Sequence, residues 1–135
     1  MKLIAKFKSQ LFVEPTAKSK GDYVEAQALK FLHAQKLKLR ARNYNCKLGE
    51  IDLIMQDSEA IVFVEVRFRQ NRKYGHPSET VSLAKQKKII KTALIYLQEK
   101  KLLEKVSCRF DVLTVNTIAE AETLQFNWLR DAFQA

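Results

Sequence analysis

The chain has 135 residues, of which 47% are hydrophobic and 29% are charged. It is long enough for one domain with a single core, and its composition excludes a disordered or fibrous protein. Lysine and arginine outnumber aspartate and glutamate by 24 to 15, and the resulting net charge of +9 favours a polyanionic partner, most often nucleic acid or an anionic membrane surface.

The first 20 residues are expected to form a basic N-terminal arm, and residues 21–135 a single domain. Within the arm, the apolar run of Met1–Phe12 is interrupted by lysines and is too short for a secretory signal or a membrane-spanning helix. Cys46 and Cys108 lie far apart and lack the spacing of metal ligands. We therefore expect a cytoplasmic protein with no membrane partner.

The segment from Gly21 to Lys36 is predicted to be the first helix, because its apolar and small residues recur with the helical period. These residues are Val24, Ala28, Phe31 and Leu32. Asp22 is a candidate N-cap, and Glu25 three residues later would close a capping box. Alternatively, Glu25 reaches acids on the strands that follow the helix.

The segment Leu37–Asn43 alternates apolar and basic residues, which predicts a strand with one face in the core. Lys38, Arg40 and Arg42 would share the other face. That face is either simply solvated or binds phosphate groups.

The stretch Gly49–Arg69 is predicted to be a β-hairpin, because two apolar runs of strand length flank a short polar turn. If Ser58 and Glu59 form the loop, the register places Asp52 directly across from Glu65. Strict alternation would put Ile51, Leu53 and Met55 on one face of the first strand, and Glu50, Asp52 and Ile54 on the other. Gly49, just before the acids, would let a backbone or a ligand approach closely.

Two directly opposed carboxylates destabilise a hairpin, because their Cβ atoms lie only about 4.5–5.5 Å apart. A bound cation, a nearby base or a shared proton would offset the repulsion between Asp52 and Glu65. Oxygen ligands of this kind suit a hard divalent ion, which takes one or two carboxylates and keeps several waters. The hairpin is therefore predicted to form half of a magnesium site.

The loop that follows Arg69, from Gln70 to Thr80, is polar and basic. Its Arg72 and Lys73, together with Arg69, are candidate phosphate-binding residues. His76 in this loop is either a general base or an ordinary surface histidine.

Ser82 is predicted to cap a second helix that runs to about Lys100. Its expected buried stripe consists of Leu83, Ile90, Ala93, Leu94 and Leu97. On another side, Lys85, Lys88 and Lys91 recur at three-residue spacing, and they either follow a phosphate backbone or form a solvated face.

A strand is predicted over Cys108–Asn116, in which Thr114 interrupts the apolar alternation and Asp111 is expected to be structural. Leu124–Phe133 is expected to be an edge strand or a short helix. The order of elements predicts an α/β sandwich in which helices flank a central mixed β-sheet and the first three strands form a meander.

The acids and their spacing resemble the PD-(D/E)XK nuclease superfamily, in which one acid is followed, on the next strand, by an acid, a spacer and a lysine. Asp52 matches the first acid, Glu65-Val66-Arg67 matches the second group, and Glu25 matches a helical acid of archaeal Holliday-junction resolvases. Residues 20–133 resemble more closely the YraN family of uncharacterised bacterial proteins. That resemblance rests on Gly49-Glu-Ile-Asp-Leu-Ile54, Phe63-Val-Glu-Val-Arg67, Lys85-Gln86 and Arg109-Phe-Asp-Val112.

This resemblance implies a restriction-endonuclease-like fold and a Mg²⁺- or Mn²⁺-dependent endonuclease that hydrolyses phosphodiester bonds in DNA, with branched DNA as one candidate substrate. It implies that Asp52, Glu65 and the carbonyl of Val66 hold the metal, that Glu25 ligates it directly or through water, and that Arg67 contacts the scissile phosphate. A homodimer would suit two cuts on a junction.

Arg67 departs from the motif, because arginine stays protonated and does not readily act as a base. Lys85 or Lys88 from the second helix is a candidate replacement for the missing lysine. The alternative is a nucleic-acid-binding protein without catalysis, in which the acids pair with neighbouring cations. A third alternative, a module that docks on an acidic protein, explains the charge but not the opposed acids.

Overall fold

The computed structural model describes residues 17–69, 81–118 and 123–135. Two helices and five strands occupy these ranges: α1 is Ala17–Ala34, β1 Lys38–Cys46, β2 Gly49–Asp57, β3 Ala60–Arg69, α2 Leu83–Glu99, β4 Cys108–Ile118 and β5 Thr123–Phe133. No helix within them is long and apolar enough to cross a membrane. Most of the predicted arm, and the predicted loop residues Arg72, Lys73 and His76, lie outside the described residues.

The five strands form one sheet in the order β1-β2-β3-β4-β5. The first three pair antiparallel as a meander, β4 runs parallel to β3, and β5 returns antiparallel to β4. Parallel neighbours need a crossover connection, and α2 lies in that connection. The predicted α/β sandwich with a mixed central sheet is therefore confirmed, and the C-terminal segment is an edge strand rather than a helix.

Each helix covers one face of the sheet and closes a separate apolar core. The α1 core includes Ala28, Leu32, Leu53, Val64 and Leu113. The α2 core includes Ile54, Phe63, Ile89, Tyr96 and Phe110. Because β2 and β3 are covered on both faces, they are nearly continuous apolar runs, and an acid placed in them is costly to ionise.

The first helix begins at Ala17 instead of the predicted start at Gly21. A glycine inside a helix costs only about 1 kcal/mol relative to alanine, and the residues just before it include no proline. Asp22 and Glu25 therefore lie inside α1, and the predicted capping box is wrong. The Glu25 side chain therefore does not cap the helix, and it lies near the strands instead.

A β-bulge at Arg40 overturns the predicted basic face of β1. The register with β2 shifts across this residue, and the extra residue changes which face the following side chains occupy. Arg40 turns toward α2 and donates a hydrogen bond to the Tyr96 hydroxyl at 2.9 Å. Arg42 lies instead near α1, 3.8 Å from Glu25. The two arginines thus serve different parts of the molecule.

The second helix begins where predicted, because the Ser82 side chain accepts a hydrogen bond from the Lys85 N–H at 3.2 Å. Its buried side is rotated from the predicted stripe and consists of Ile89, Thr92, Ala93, Tyr96 and Leu97. Leu83 and Leu94, predicted to be buried, are 73% and 45% exposed. The Tyr96 ring anchors this rotation, because it meets the rings of Tyr44 and Phe63 edge-on.

Gly49 lets α2 approach the start of β2 closely. A Cβ at this position would lie 3.0 Å from Thr92 Oγ1 and 3.5 Å from Lys88 Cβ. Of the two predicted neighbours of Gly49, a backbone or a ligand, the structure shows the backbone and side chains of the helix α2.

Asp111 in β4 is fully buried and joins β4 to β5. Its carboxylate accepts hydrogen bonds from the Trp128 indole N–H and from the Asp131 N–H, both at 2.9 Å. Arg109 Nε lies 3.0 Å from the same carboxylate. These contacts fit the structural role expected for Asp111.

Replacing Asp111 by asparagine is expected to lower the free energy of unfolding by about 2–4 kcal/mol, because half the counter-charge of a largely buried arginine disappears. Urea unfolding followed by circular dichroism measures the change. Glu59→Gln in the exposed β2–β3 turn is the control and should change stability by less than about 0.5 kcal/mol. An equally small effect for Asp111→Asn would contradict the structural role.

Candidate metal and nucleic-acid site

The predicted acid pair lies on β2 and β3, the second and third strands of the meander. The β2–β3 hairpin has the predicted register, from Asp57 opposite Ala60 to Leu53 opposite Val64. The paired ladder ends there, so Asp52 and Glu65 each lie one residue beyond it, and the two are close enough for the charge of Glu65 to raise the pKa of Asp52. Glu65 is only 5% exposed, so its carboxylate lies in the interior of the protein.

Asp52 interrupts the regular alternation of β2. Ile51 packs with Ile54 in the α2 core, whereas Leu53 packs in the α1 core. Strict alternation predicted that Ile51 would lie beside Leu53, and this is wrong. At this interruption the Asp52 side chain hydrogen-bonds to the main chain of β3: its Oδ2 accepts the Val66 N–H at 2.8 Å.

On the α1 side, the site opens as a cleft of about 340 Å³. Four carboxylates line it, those of Asp22, Glu25, Glu50 and Asp52. Val66 and Phe68 of β3 and Asn43 of β1 complete its walls. A chain with a net charge of +9 therefore has a local concentration of negative charge at this cleft.

Glu25 reaches the cleft from α1 and is its third predicted acid. Burial raises the pKa of Glu25, while a hydrogen bond with Asn43 and the charge of Arg42 act in the opposite direction. The charge of Glu25 in turn contributes to raising the pKa of Asp52. The structure thus brings Glu25 within electrostatic reach of the strand acids.

Two cations approach the acid pair from the α2 side. Lys85 Nζ lies 2.6 Å from Glu65 Oε2, and Arg67 Nη1 lies 4.0 Å from the same oxygen. Of the two lysines considered from sequence, it is therefore Lys85 that meets the acids. Lys88 is exposed one turn further along α2.

The other predicted phosphate-binding residues are spread over the molecule. Arg40 contacts Tyr96. Tyr96 is eleven residues beyond Lys85 on α2, so these two residues lie about 16 Å apart along the helix axis. Arg42 is beside Glu25, and Arg69 donates to the Phe68 carbonyl at 3.1 Å.

The surroundings of Asp52 change its protonation. Burial, and then the charge of Glu65, raise the pKa of Asp52 to about 7, against the opposing effects of the Val66 N–H and Lys85. Burial, and then the neighbouring Arg69, lower the pKa of Arg67. The cations present therefore leave the acid pair able to accept further positive charge.

No three of the described aspartate, glutamate, histidine and cysteine side chains are grouped closely enough to hold a metal ion by themselves. The donors that remain are the carboxylates of Asp52 and Glu65 and the main-chain carbonyl of Val66. The N–H and C=O of one strand residue point toward the same neighbouring strand, so the Val66 carbonyl faces β2 as its N–H does. These three oxygen donors fit Mg²⁺, which binds few protein ligands and keeps several waters.

Sequence reasoning missed two polar residues that are aligned with Arg67 across the sheet. Thr114 in β4 is the register partner of Arg67, and Asn127 in β5 is the register partner of Thr114. The only sequence signal was the threonine that interrupts an apolar strand, and it does not indicate which strand lies next to it.

The sequence matches the uncharacterised protein family UPF0102 over residues 24–115. It is similar to a UPF0102 protein of Nitrosococcus oceani, with 42% identity over 119 residues that cover 88% of this chain and 94% of the relative. It is also similar to a UPF0102 protein of a Janthinobacterium species, with 44% identity over 126 residues that cover 92% and 96%.

The raised pKa of Asp52 predicts how stability depends on pH. A carboxyl group whose pKa is higher in the folded than in the unfolded state destabilises the fold progressively as pH rises from about 4 to about 7. Asp52→Asn removes this cost and retains an oxygen that accepts the Val66 N–H. We expect the variant to be about 2–3 kcal/mol more stable than wild type at pH 8, after allowing for partial solvent screening, and equally stable near pH 4.

Urea unfolding at both pH values, without divalent metal, measures the difference. Asp22→Asn is the matched control, because Asp22 is an exposed acid of the same cleft. A constant difference between Asp52→Asn and wild type across this pH range would contradict the assignment.

Proposed function

The chain belongs to the uncharacterised protein family UPF0102, the YraN family that its motifs resemble, and on this premise we propose that it is a metal-dependent nuclease that hydrolyses phosphodiester bonds in DNA. The observation that carries the proposal is the buried and incompletely neutralised pair of Asp52 and Glu65. A fold does not keep like charges so close without a compensating group, and a divalent cation compensates both at once. Branched DNA cut by a homodimer is the form of this activity that the resemblance suggests.

Asp52, Glu65 and the Val66 carbonyl would hold Mg²⁺ or Mn²⁺, with Glu25 as a direct or water-mediated ligand. When bound, the ion lowers the pKa of a water molecule and offsets the charge that develops on the phosphate. The Val66 N–H supports this arrangement by holding Asp52 Oδ2 at 2.8 Å, so the carboxylate presents its other oxygen with a defined orientation.

Arg67 and Lys85 provide positive charge on the α2 side of the acids. Arginine remains protonated, so Arg67 holds a phosphate oxygen and does not take up a proton. In this proposal Lys85 would serve as the lysine that the motif places two residues after Glu65. It arrives from a different element, the first turn of α2, and its Nζ lies beside the same carboxylate.

The second candidate is a nucleic-acid-binding protein without catalysis. The contact between Lys85 and Glu65 at 2.6 Å favours it, because an internal cation already occupies one side of the acid pair. In that protein the pair and its cations form an ion network, and the net charge of +9 provides the affinity for nucleic acid.

The first test is calorimetric titration of Mg²⁺ and Mn²⁺ into wild type and Asp52→Ala, followed by cleavage assays of the same samples on four-way-junction, flap and linear DNA. We expect wild type to bind metal and cut DNA, and Asp52→Ala to lose both. Glu59→Ala, an exposed acid in the β2–β3 turn, is the control and should behave as wild type. DNA binding with no metal binding and no cleavage would leave the second candidate.

The role of Lys85 is tested by its replacement with alanine. We expect the cleavage rate at saturating DNA to fall about a hundredfold, because one preorganised cation is lost from the reacting phosphate. Lys87→Ala makes the same change of charge at an exposed position of α2 and should cleave at the wild-type rate. Equal rates for the two variants would exclude Lys85 from the chemistry.

A further inference from the structure

Arg67, Thr114 and Asn127 form a row of polar side chains across β3, β4 and β5, which we call the polar row. Arg67 is the register partner of Thr114, and Thr114 that of Asn127. Register partners share a face of the sheet. The row lies on the α2 side, since two residues back the same register joins Glu65 of the acid pair to Val112 of the α2 core.

Two members of the polar row have hydrogen-bonding atoms that the fold does not use. Arg67 Nε and Thr114 Oγ1 are buried and have no hydrogen-bond partner among the described residues. Thr114 is only 2% exposed. A buried hydroxyl without a partner destabilises the fold, and valine at the same position would avoid this cost. The row therefore retains donors at a cost to the stability of the fold.

We propose that the polar row is a binding subsite for a phosphate group that neighbours the one cleaved. A guanidinium, a hydroxyl and an amide all donate hydrogen bonds, and a phosphate oxygen accepts them. The inference rests on the proposed function, because the phosphate belongs to the nucleic acid that the acid pair would cut.

The position of the polar row fits a phosphate that neighbours the scissile one, and not the scissile phosphate itself. Adjacent strands are about 4.8 Å apart, so the row leads roughly 10 Å from Arg67, beside the acids, to Asn127 on the edge strand. Thr114 lies at its centre. A nucleic-acid strand held here would leave the acid pair along the carboxyl end of β3 toward β5.

The test measures binding separately from cleavage. Thr114→Val and Asn127→Ala are titrated with a short fluorescein-labelled DNA duplex in EDTA, and fluorescence anisotropy is followed at several salt concentrations. We expect each variant to bind about tenfold more weakly than wild type, since each loses a hydrogen bond to a charged group. The slope of affinity against salt should stay unchanged, because neither replacement removes a charge.

Thermal unfolding of the free protein separates a binding role from a structural one. Thr114→Val should unfold at the same or a higher temperature than wild type, because it removes an unsatisfied hydroxyl and preserves shape. The matched control is Thr92→Val, whose buried hydroxyl donates to the Lys88 carbonyl at 2.8 Å. It should unfold at a lower temperature and bind DNA as wild type does.

The outcomes distinguish this inference from the proposed nuclease. Weaker binding with unchanged or higher thermal stability supports the subsite, whether or not wild type cleaves DNA. Wild-type affinity in both variants, or a lower unfolding temperature for Thr114→Val, overturns the subsite and leaves the nuclease intact. A wild-type protein that binds no DNA overturns both.

Discussion

The repulsion between Asp52 and Glu65 is the constraint on which the rest of the site depends. The two acids lie just beyond the last paired residues of the hairpin, Leu53 and Val64, and helices on both faces of the sheet keep Glu65 away from water. Burial and like charge together raise the pKa of Asp52 to about 7. A pair of this kind requires nearby positive charge, and Lys85 and Arg67 supply part of it.

The two helices contribute oppositely charged groups to this centre while they close the two cores. α1 carries Glu25 to the cleft, and α2 carries Lys85 to the Glu65 carboxylate. Asp52 lies where the alternation of β2 is interrupted, so it borders the cleft on one side and the acid pair on the other. The polar character of the site thus arises at the boundary between two apolar layers.

A second buried acid, Asp111, shows what a purely structural carboxylate looks like in the same fold. It accepts hydrogen bonds from Trp128 and Asp131 and is paired with Arg109, and all of these contacts lie within the protein. Asp52 accepts one main-chain hydrogen bond and lies near the like charge of Glu65. The polar row likewise keeps buried donors without partners among the described residues. Both oxygens of the Asp111 carboxylate are hydrogen-bonded within the protein, whereas the acid pair and the polar row keep groups that the fold does not satisfy.

The sequence by itself determined the features that local signals specify. A polar two-residue turn between apolar runs set the register of the β2–β3 hairpin from Asp57 to Leu53, and a serine cap set the start of α2. Contacts between distant segments decided the rest. The bulge at Arg40, the rotation of α2 around Tyr96 and the choice of Lys85 over Lys88 depend on elements that are far apart in the chain. The polar row required the order of three strands. Periodicity shows which side chains share a face, but only the packed sheet shows which face meets which helix.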